Sequence, residues 1–262
     1  MHHLGEGKDF SVFVAASTEC LPGKSLKESI ELLDDLEFAA VEIAMHESGV
    51  TEDTRPSEIL ADEDRAIQLL RHTHRLDISG YSIELASTGD QHYEDFQRIC
   101  HLAKATKVVT LTVPSAELGT PFNEEVEHLQ RLVDLAASEG VRVGVRSQLG
   151  CLIEDPDTLM VLCNNVDGLG ITLDPSVYIA GPAKGKSLDK ILKFVFSTQL
   201  RDTRPDAFQV SVGQGEVDYG KLVTQLEREN YDRALTVHMG PMEGHDHRVE
   251  LRKLRRLLET LI

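Results

Sequence analysis

Residues 141–147 read VRVGVRS and residues 169–174 read LGITLD, two short runs rich in β-branched side chains that enclose a helical stretch at 156–164. Strands that alternate with helices predict parallel βαβ units. The same unit recurs in both directions along the chain, which gives eight strand–helix units without a linker or a change of composition. Eight units in 262 residues predict a single (β/α)8 TIM barrel, because that fold typically takes about 250 residues.

The remaining predicted elements follow the same rhythm over one domain, 1–262, in which 1–9 is expected to be a flexible N-terminal extension. Strands are expected at 10–16, 40–45, 78–85, 107–113, 195–200 and 234–238. Ser25 and Glu28 predict a capping box at the start of the first helix. Asn123 is expected to cap a long helix that ends at Gly140. Further helices are expected at 62–76, 90–105, 187–192, 218–229 and 245–261.

An open, doubly wound sheet is the alternative fold. A dinucleotide-binding sheet of that kind carries G-x-G-x-x-G directly after its first strand. This chain has its G-x-G at 213–215, after the seventh predicted strand. The position of that motif therefore favours the barrel.

The composition excludes several classes of protein. The chain has 27 Lys and Arg against 44 Asp and Glu, a formal net charge of −17, and only 5 % aromatic residues. We expect no nucleic-acid partner, because an acidic surface repels phosphates and few side chains can stack on bases. We also expect no membrane association and a cytoplasmic location, because no apolar run approaches the roughly 18–20 residues that span a bilayer. The four separated cysteines are expected to be reduced and buried.

The last four predicted strands each have one apolar face and one small or polar face. Successive side chains of a strand point to opposite sides, so we expect the apolar face to pack outward and the polar face to line the lumen. The polar faces end in Arg146, Asp174, Gln199 and His238. Barrel enzymes carry their chemistry at this end of the strands. The alternative is an ion pair between Arg146 and Asp174 that only closes the barrel mouth.

Three stretches of the second half carry a resemblance to a known family: 170–178 (GITLDPSVY), 200–203 (LRDT) and 212–219 (VGQGEVDY). With VEI at 41–43, they resemble the xylose isomerase-like TIM-barrel family. That family holds sugar-phosphate isomerases and epimerases, keto-sugar epimerases, inosose dehydratases and the endonuclease IV branch. The order and spacing match from about residue 140 to the C-terminus, whereas the first half agrees mainly in its strand–helix rhythm.

The resemblance implies a divalent metal held by Glu on strand five, Asp on strand six, His on strand seven and Glu on strand eight. In this chain Asp174 keeps the strand-six position, whereas Arg146, Gln199 and His238 stand at the other three. A guanidinium is always protonated and repels a dication. We therefore expect no Mn²⁺, Mg²⁺ or Zn²⁺ at the mouth and no other cofactor. We expect Arg146 to be directed at Asp174 instead.

The residues and the resemblance together predict a sugar-phosphate isomerase- or epimerase-like protein that acts on or binds a sugar, a polyol or a related small molecule. His238 is expected to act as acid or base, Asp174 to orient or deprotonate the substrate, and Arg146 to stabilise an enolate-like oxyanion. Further substrate contacts are expected from Gln199, Gln148 and Arg201. The alternative is a barrel that has lost catalysis and binds a small ligand as a regulatory protein. The sequence also allows a homo-oligomer.

Two features leave more than one interpretation. Glu42 on strand two and Glu84 on strand three are either buried polar residues or part of the pocket. His245, Asp246 and His247 could mimic a metal cluster, but they are explained more simply as a helix start in which Asp246 complements the helix dipole.

Overall fold

Eight parallel strands pair in chain order and close into a barrel, with the first strand beside the last. The computed structural model describes residues 12–49 and 51–262, so the predicted extension at 1–9 lies outside the described residues. The predicted (β/α)8 TIM barrel is confirmed. The strands are β1 Phe13–Ser17, β2 Ala40–His46, β3 Asp77–Glu84, β4 Thr110–Val113, β5 Arg142–Arg146, β6 Gly170–Leu173, β7 Val195–Leu200 and β8 Ala234–Val237.

Helices follow the strands and bury one face against the barrel. Ser25 and Glu28 form the predicted capping box at the first helix. Gly140 follows the long fifth helix with a φ of 74°, a left-handed conformation that glycine adopts without strain. The helices are α1 Leu26–Asp35, α2 Pro56–Ala61, α3 Glu63–Leu70, α4 Gly89–Ala105, α5 Phe122–Ser138, α6 Pro156–Asn165, α7 Val177–Ala180, α8 Tyr219–Arg228 and α9 His247–Glu259.

Three helix predictions differ from the structure. The helix predicted at 187–192 is wrong: Ser187 and Asp189 bond to each other and to the local backbone, which stabilises a turn in competition with a helix. The helix predicted at 62–76 ends at Leu70, and the chain turns through a left-handed residue at His74. The long helix α5 begins one residue before Asn123, which therefore lies in its first turn instead of capping it.

Phe196, which the alternating pattern predicts to face outward, packs instead against Gly170 of β6. A register shift between Ile171 and Thr172 moves β7 relative to β6. The Phe196 ring fills the space into which a side chain at Gly170 would point, since a Cβ there would lie 2.0 Å from the ring. Arg142 and Arg233 lie over the same ring. In the described part of the chain, no helix has the length and apolar character needed to cross a membrane.

Candidate active site

The small or polar face of the strands points into the lumen, as predicted. Thr112 on β4 and Thr172 on β6 are in contact, with 2.7 Å between their Oγ1 atoms, although β5 runs between these strands. Gly144 on β5 leaves the space for this contact, because a Cβ there would lie 2.9 Å from Thr172 Oγ1. Gln199 Nε2 on β7 donates to Glu42 Oε1 on β2 at 2.9 Å. Contacts between strands that are not neighbours must cross the barrel interior.

One continuous chain of hydrogen bonds crosses the barrel mouth. Arg201 Nη2 lies 2.9 Å from Asp174 Oδ2 and donates to His238 Nδ1 at 2.6 Å. His238 Nε2 donates to Glu19 Oε2 at 2.6 Å, and His46 Nδ1 donates to Glu19 Oε1 at 2.8 Å. The structure thus brings together three predicted residues and two that the sequence reading missed, Glu19 and His46. The feature of the sequence that could have indicated Glu19 as a site residue is its position two residues after the end of β1.

The partners of His238 fix which ring nitrogen carries the proton. An arginine N–H can only donate a hydrogen bond, so the Nδ1 atom that faces Arg201 is an acceptor. The proton then lies on Nε2, which faces the carboxylate of Glu19; this assignment rests on the partners, as it must for any histidine ring. Both nitrogens are engaged. The predicted acid–base role of His238 therefore requires Arg201 or Glu19 to move first.

The predicted contact between Arg146 and Asp174 is wrong. Arg201 follows β7, next to the strand that carries Asp174, and it neutralises that carboxylate. The other oxygen of Asp174 accepts a backbone N–H at 2.9 Å. Arg146 instead pairs with the carboxylate of Glu84, at the end of β3, and donates to Gln148 Oε1 at 3.1 Å. Glu84, whose role the sequence left open, belongs to the mouth.

Burial acts on two acidic residues of the lumen with opposite outcomes. For Glu19, burial disfavours the charged form, but hydrogen bonds from His238 and His46 outweigh it and lower the pKa below its usual range. For Glu42, burial outweighs the hydrogen bond from Gln199, and it raises the pKa. The mouth thus holds an ionised Glu19, whereas the surroundings of Glu42 favour its neutral form.

A cavity of about 320 Å³ opens beside Glu84, at the carboxyl ends of β3, β4 and β5. Leu85, Phe96 and Leu132 contribute apolar walls, and Glu84 and Gln148 contribute polar atoms. Because both of these polar residues bond to the same arginine, the cavity reaches the mouth at the arginine–glutamate pair. The hydrogen-bonded chain at the ends of β6, β7 and β8 does not line it.

Two histidines that the sequence reading missed also line this cavity, His92 on α4 and His128 on α5. Their ring centroids are 5.4 Å apart, and Tyr93 Oη contacts His128 Nδ1 at 3.0 Å. Arg131 lies over the Tyr93 ring, with Cζ 3.6 Å from its centroid. Burial, with the charges of His92 and Arg131, lowers the pKa of His128 to about 4. The only available signal was that both histidines lie in the first two turns of helices that follow strands.

The VGQGEVDY stretch at 212–219 builds a turn around Asp202. The buried Asp202 carboxylate accepts the backbone N–H groups of Gly213 at 2.8 Å, Gly215 at 2.9 Å and Thr203 at 3.1 Å. A Cβ at Gly215 would lie 1.9 Å from Asp202 Oδ1, so glycine is required there. This turn fixes the backbone directly after Arg201.

The histidine-rich segment at 245–247 is a helix start, which confirms the simpler interpretation. Asp246 caps α9 by accepting the N–H of Arg248 at 2.9 Å. His247 Nδ1 contacts the Cys20 carbonyl at 2.9 Å, and its Nε2 accepts the N–H of Met242 at 3.1 Å. Across residues 12–49 and 51–262, no group of three or more His, Cys, Asp or Glu side chains is arranged to hold a metal ion.

The residues at the four ligand positions implied by the resemblance do not fit a divalent cation. Arg146 brings a fixed positive charge to one of them, and Asp174 already pairs with a second guanidinium, that of Arg201. The amide N–H of Gln199 donates a hydrogen bond to Glu42. We therefore derive no chemical step through a metal, and the expected absence of a cofactor stays a prediction.

Comparisons with known proteins agree with this architecture. A family model described as xylose isomerase-like TIM barrel matches residues 30–259. A comparison with curated proteins gives no significant match. Among solved structures, D-allulose 3-epimerase from Methylomonas sp. in complex with D-allulose has a TM-score of 0.75 at 14 % identity, over 96 % of this chain and 98 % of that chain.

Two further structures show the same fold. The probable 3-DHS dehydratase from Bacillus anthracis has a TM-score of 0.72 at 14 % identity, over 94 % of this chain and 98 % of that one. The IOLI protein, solved with a zinc atom, has a TM-score of 0.68 at 17 % identity, over 95 % of both chains. With the family model spanning most of the sequence, the chain belongs to the xylose isomerase-like TIM barrel family.

Proposed function

We propose that this protein is an isomerase or epimerase of a sugar or a related polyol, and that Glu84 and Arg146 are its proton-transfer and oxyanion groups. The observation that carries the proposal is the position of this pair at the edge of the cavity. The Glu84 side chain is 33 % exposed, whereas that of Asp174 is 3 % exposed. Of these two carboxylates, Glu84 is thus the one that a ligand can reach. Sugar epimerases among the structurally similar proteins also support the proposal.

The reaction we propose is proton transfer next to a carbonyl group. A ketose or keto-polyol binds with its carbonyl oxygen at Arg146 and the neighbouring C–H at Glu84. Glu84 takes the proton, the C–H electron pair forms the double bond of an enolate, and the carbonyl electron pair moves to the oxygen, where the guanidinium N–H groups stabilise it. To isomerise the sugar, the hydroxyl proton on the neighbouring carbon moves to the former carbonyl oxygen, and the proton on Glu84 returns to the former carbonyl carbon. The electron pair of the broken O–H bond then forms the new carbonyl on the neighbouring carbon. Return of a proton to the opposite face of the original carbon epimerises the sugar and needs an acid on that face.

The hydrogen-bonded chain from Asp174 to His46 has a positioning role in this proposal. Its members pair with one another, and their exchange with substrate would leave buried charges unpaired, which is costly. The same closed chain favours a second candidate function, a barrel that binds a polyol without changing it. The two candidates differ in whether carbon-bound hydrogen exchanges with solvent.

Isotope exchange tests the proposal directly. Ketoses and inososes are incubated with the protein in D₂O, and loss of C–H signal is followed by NMR. We expect the wild type to exchange one C–H next to the carbonyl and Glu84→Gln to slow that exchange by roughly 10²–10⁴-fold. Asp77→Asn, at the opposite end of the same strand, is the matched control and should exchange at the wild-type rate.

Two results would contradict the proposal, the first in the role of Glu84 and the second in the activity itself. Full exchange in Glu84→Gln would show that another group moves the proton. A ligand that raises the melting temperature of the wild type without any exchange would favour the polyol-binding barrel.

A further inference from the structure

We infer that the guanidinium of Arg201 is the resident cation of this barrel and stands where the family resemblance implies a divalent metal. The inference goes beyond the proposed reaction, because it holds for a catalytic barrel and for a ligand-binding one. It rests on a single atom, Arg201 Nη2, that two of the four ligand positions share.

The shared atom is defined by two distances. Asp174 stands at the strand-six ligand position and His238 at the strand-eight position. Asp174 Oδ2 lies 2.9 Å from Arg201 Nη2, and His238 Nδ1 lies 2.6 Å from the same atom. The turn around Asp202 fixes the backbone that follows Arg201. Both ligand positions thus contact the guanidinium, and the turn fixes the backbone next to the residue that carries it.

The identity of His238 fits a guanidinium at this place. A metal and an arginine N–H both need a lone pair from their partner, and His238 Nδ1 supplies one. Its other nitrogen donates to Glu19 at 2.6 Å. A glutamate at position 238, as the resemblance implies, would instead bring a second carboxylate against Glu19, and like charges at that distance repel. Arg201, His238 and Glu19 are therefore complementary as a set.

The net charge around Arg201 also equals that of the metal site that the resemblance implies. One positive charge on Arg201 with the negative charges of Asp174 and Glu19 leaves minus one. A divalent cation with three carboxylates, the set implied by the resemblance, also leaves minus one. A guanidinium stays protonated at any accessible pH, so this internal cation is permanent.

Arg146 provides the matched comparison, because it lies at the same mouth in a different role. It contacts Glu84 and Gln148 and neither Asp174 nor His238. Removal of Arg146 leaves the cation between Asp174 and His238 in place. Removal of Arg201 leaves Asp174 Oδ2 and His238 Nδ1 without their shared partner, and a carboxylate oxygen and an imidazole nitrogen are ligands that Zn²⁺ accepts.

The test brings purified variants to equilibrium dialysis against Zn²⁺ and measures bound metal by elemental analysis. We expect Arg201→Ala to bind Zn²⁺ that the wild type does not bind, with Asp174 and His238 as its protein ligands, and Asp174→Asn in the same variant to abolish this binding. Wild type and Arg146→Ala should retain none above background. Low-millimolar guanidinium, far below denaturing concentrations, should raise the melting temperature of Arg201→Ala only, with urea at the same concentration as the neutral control.

Two results would overturn the inference. One is a wild type that holds about one equivalent of a divalent metal that Asp174→Asn removes. The other is an Arg201→Ala variant that gains neither Zn²⁺ nor a melting-temperature rise specific to guanidinium. If Arg201→Ala does not fold, Arg201→Met retains the apolar stem and carries the same measurements. All readouts are metal content and melting temperature, so they are independent of the exchange assay that tests the proposed reaction.

Discussion

Gly215→Ala should destabilise the protein far more than a glycine substitution usually does. The added Cβ would lie 1.9 Å from Asp202 Oδ1 and 2.6 Å from the Thr203 backbone nitrogen. Rotation of the carboxylate relieves only the first clash, so the turn must open. Asp202 then loses three backbone donors. Hydrogen bonds to a charged group are each worth about 1.5–3 kcal/mol. Because water at the opened turn replaces part of these hydrogen bonds, we expect the free energy of unfolding to fall by about 3–4 kcal/mol.

The assay is thermal unfolding of Gly215→Ala beside Gly213→Ala. For a chain of this length, 1 kcal/mol corresponds to about 2–4 °C, so Gly215→Ala should lower the melting temperature by about 10 °C. Gly213 has a φ of 90° and open space around its Cβ position, so Gly213→Ala should cost only about 1 kcal/mol of backbone strain. Equal melting temperatures for the two variants would refute the role assigned to the Asp202 turn.

Three more predictions concern titratable groups. His128 has a pKa of about 4 in the folded protein and about 6.5 when unfolded, so the free energy of unfolding falls as the pH falls from 6.5 towards 4. Between pH 7 and 5, urea titrations should show that His128→Asn loses about 1 kcal/mol less of this free energy than the wild type does. The raised pKa of Glu42 makes its charge unfavourable above about pH 4.3, so Glu42→Gln should gain melting temperature relative to wild type as pH rises to 8; an unchanged difference would contradict this. Burial raises the pKa of three thiols, those of Cys20, Cys100 and Cys163, to about 12, so a thiol-specific chromogenic reagent should label them only after unfolding. The fourth, Cys151, lines the cavity, so labelling of more than one thiol in the native protein would contradict the burial of the other three.

The sequence predicts the lumen-facing positions better than it predicts their partners. Asp174, Gln199 and His238 could be assigned to the inner face because the alternation of a strand is local and independent of the rest of the fold. The partner of Arg146 could not be predicted in this way, because two arginines and several carboxylates lie close together at the mouth. The choice depends on Arg201, which lies beyond its predicted strand and so outside any alternating pattern.

The cavity beside Glu84 could not be predicted from the sequence for a related reason. His92 and His128 belong to different strand–helix units, and their approach depends on how α4 and α5 pack. The helix predicted at 187–192 failed on a smaller scale, because two side-chain hydrogen bonds at Ser187 and Asp189 decide the local conformation. In both cases the decisive interactions lie outside the periodicity of the sequence.

The cross-lumen hydrogen bonds have a consequence for the order of folding. Glu42 and Gln199 are 157 residues apart along the chain, and Glu19 and His238 are 219 residues apart. Such contacts form only after a long loop has closed, which makes them late and slow relative to neighbouring strand pairs. β1 meets β8 in the same event, so a nascent chain that still lacks β8 exposes two unpaired strand edges, which invite aggregation. The hydrogen bond between Glu19 and His238 and the protection of the strand edges from aggregation thus arise together, in the last step of closure.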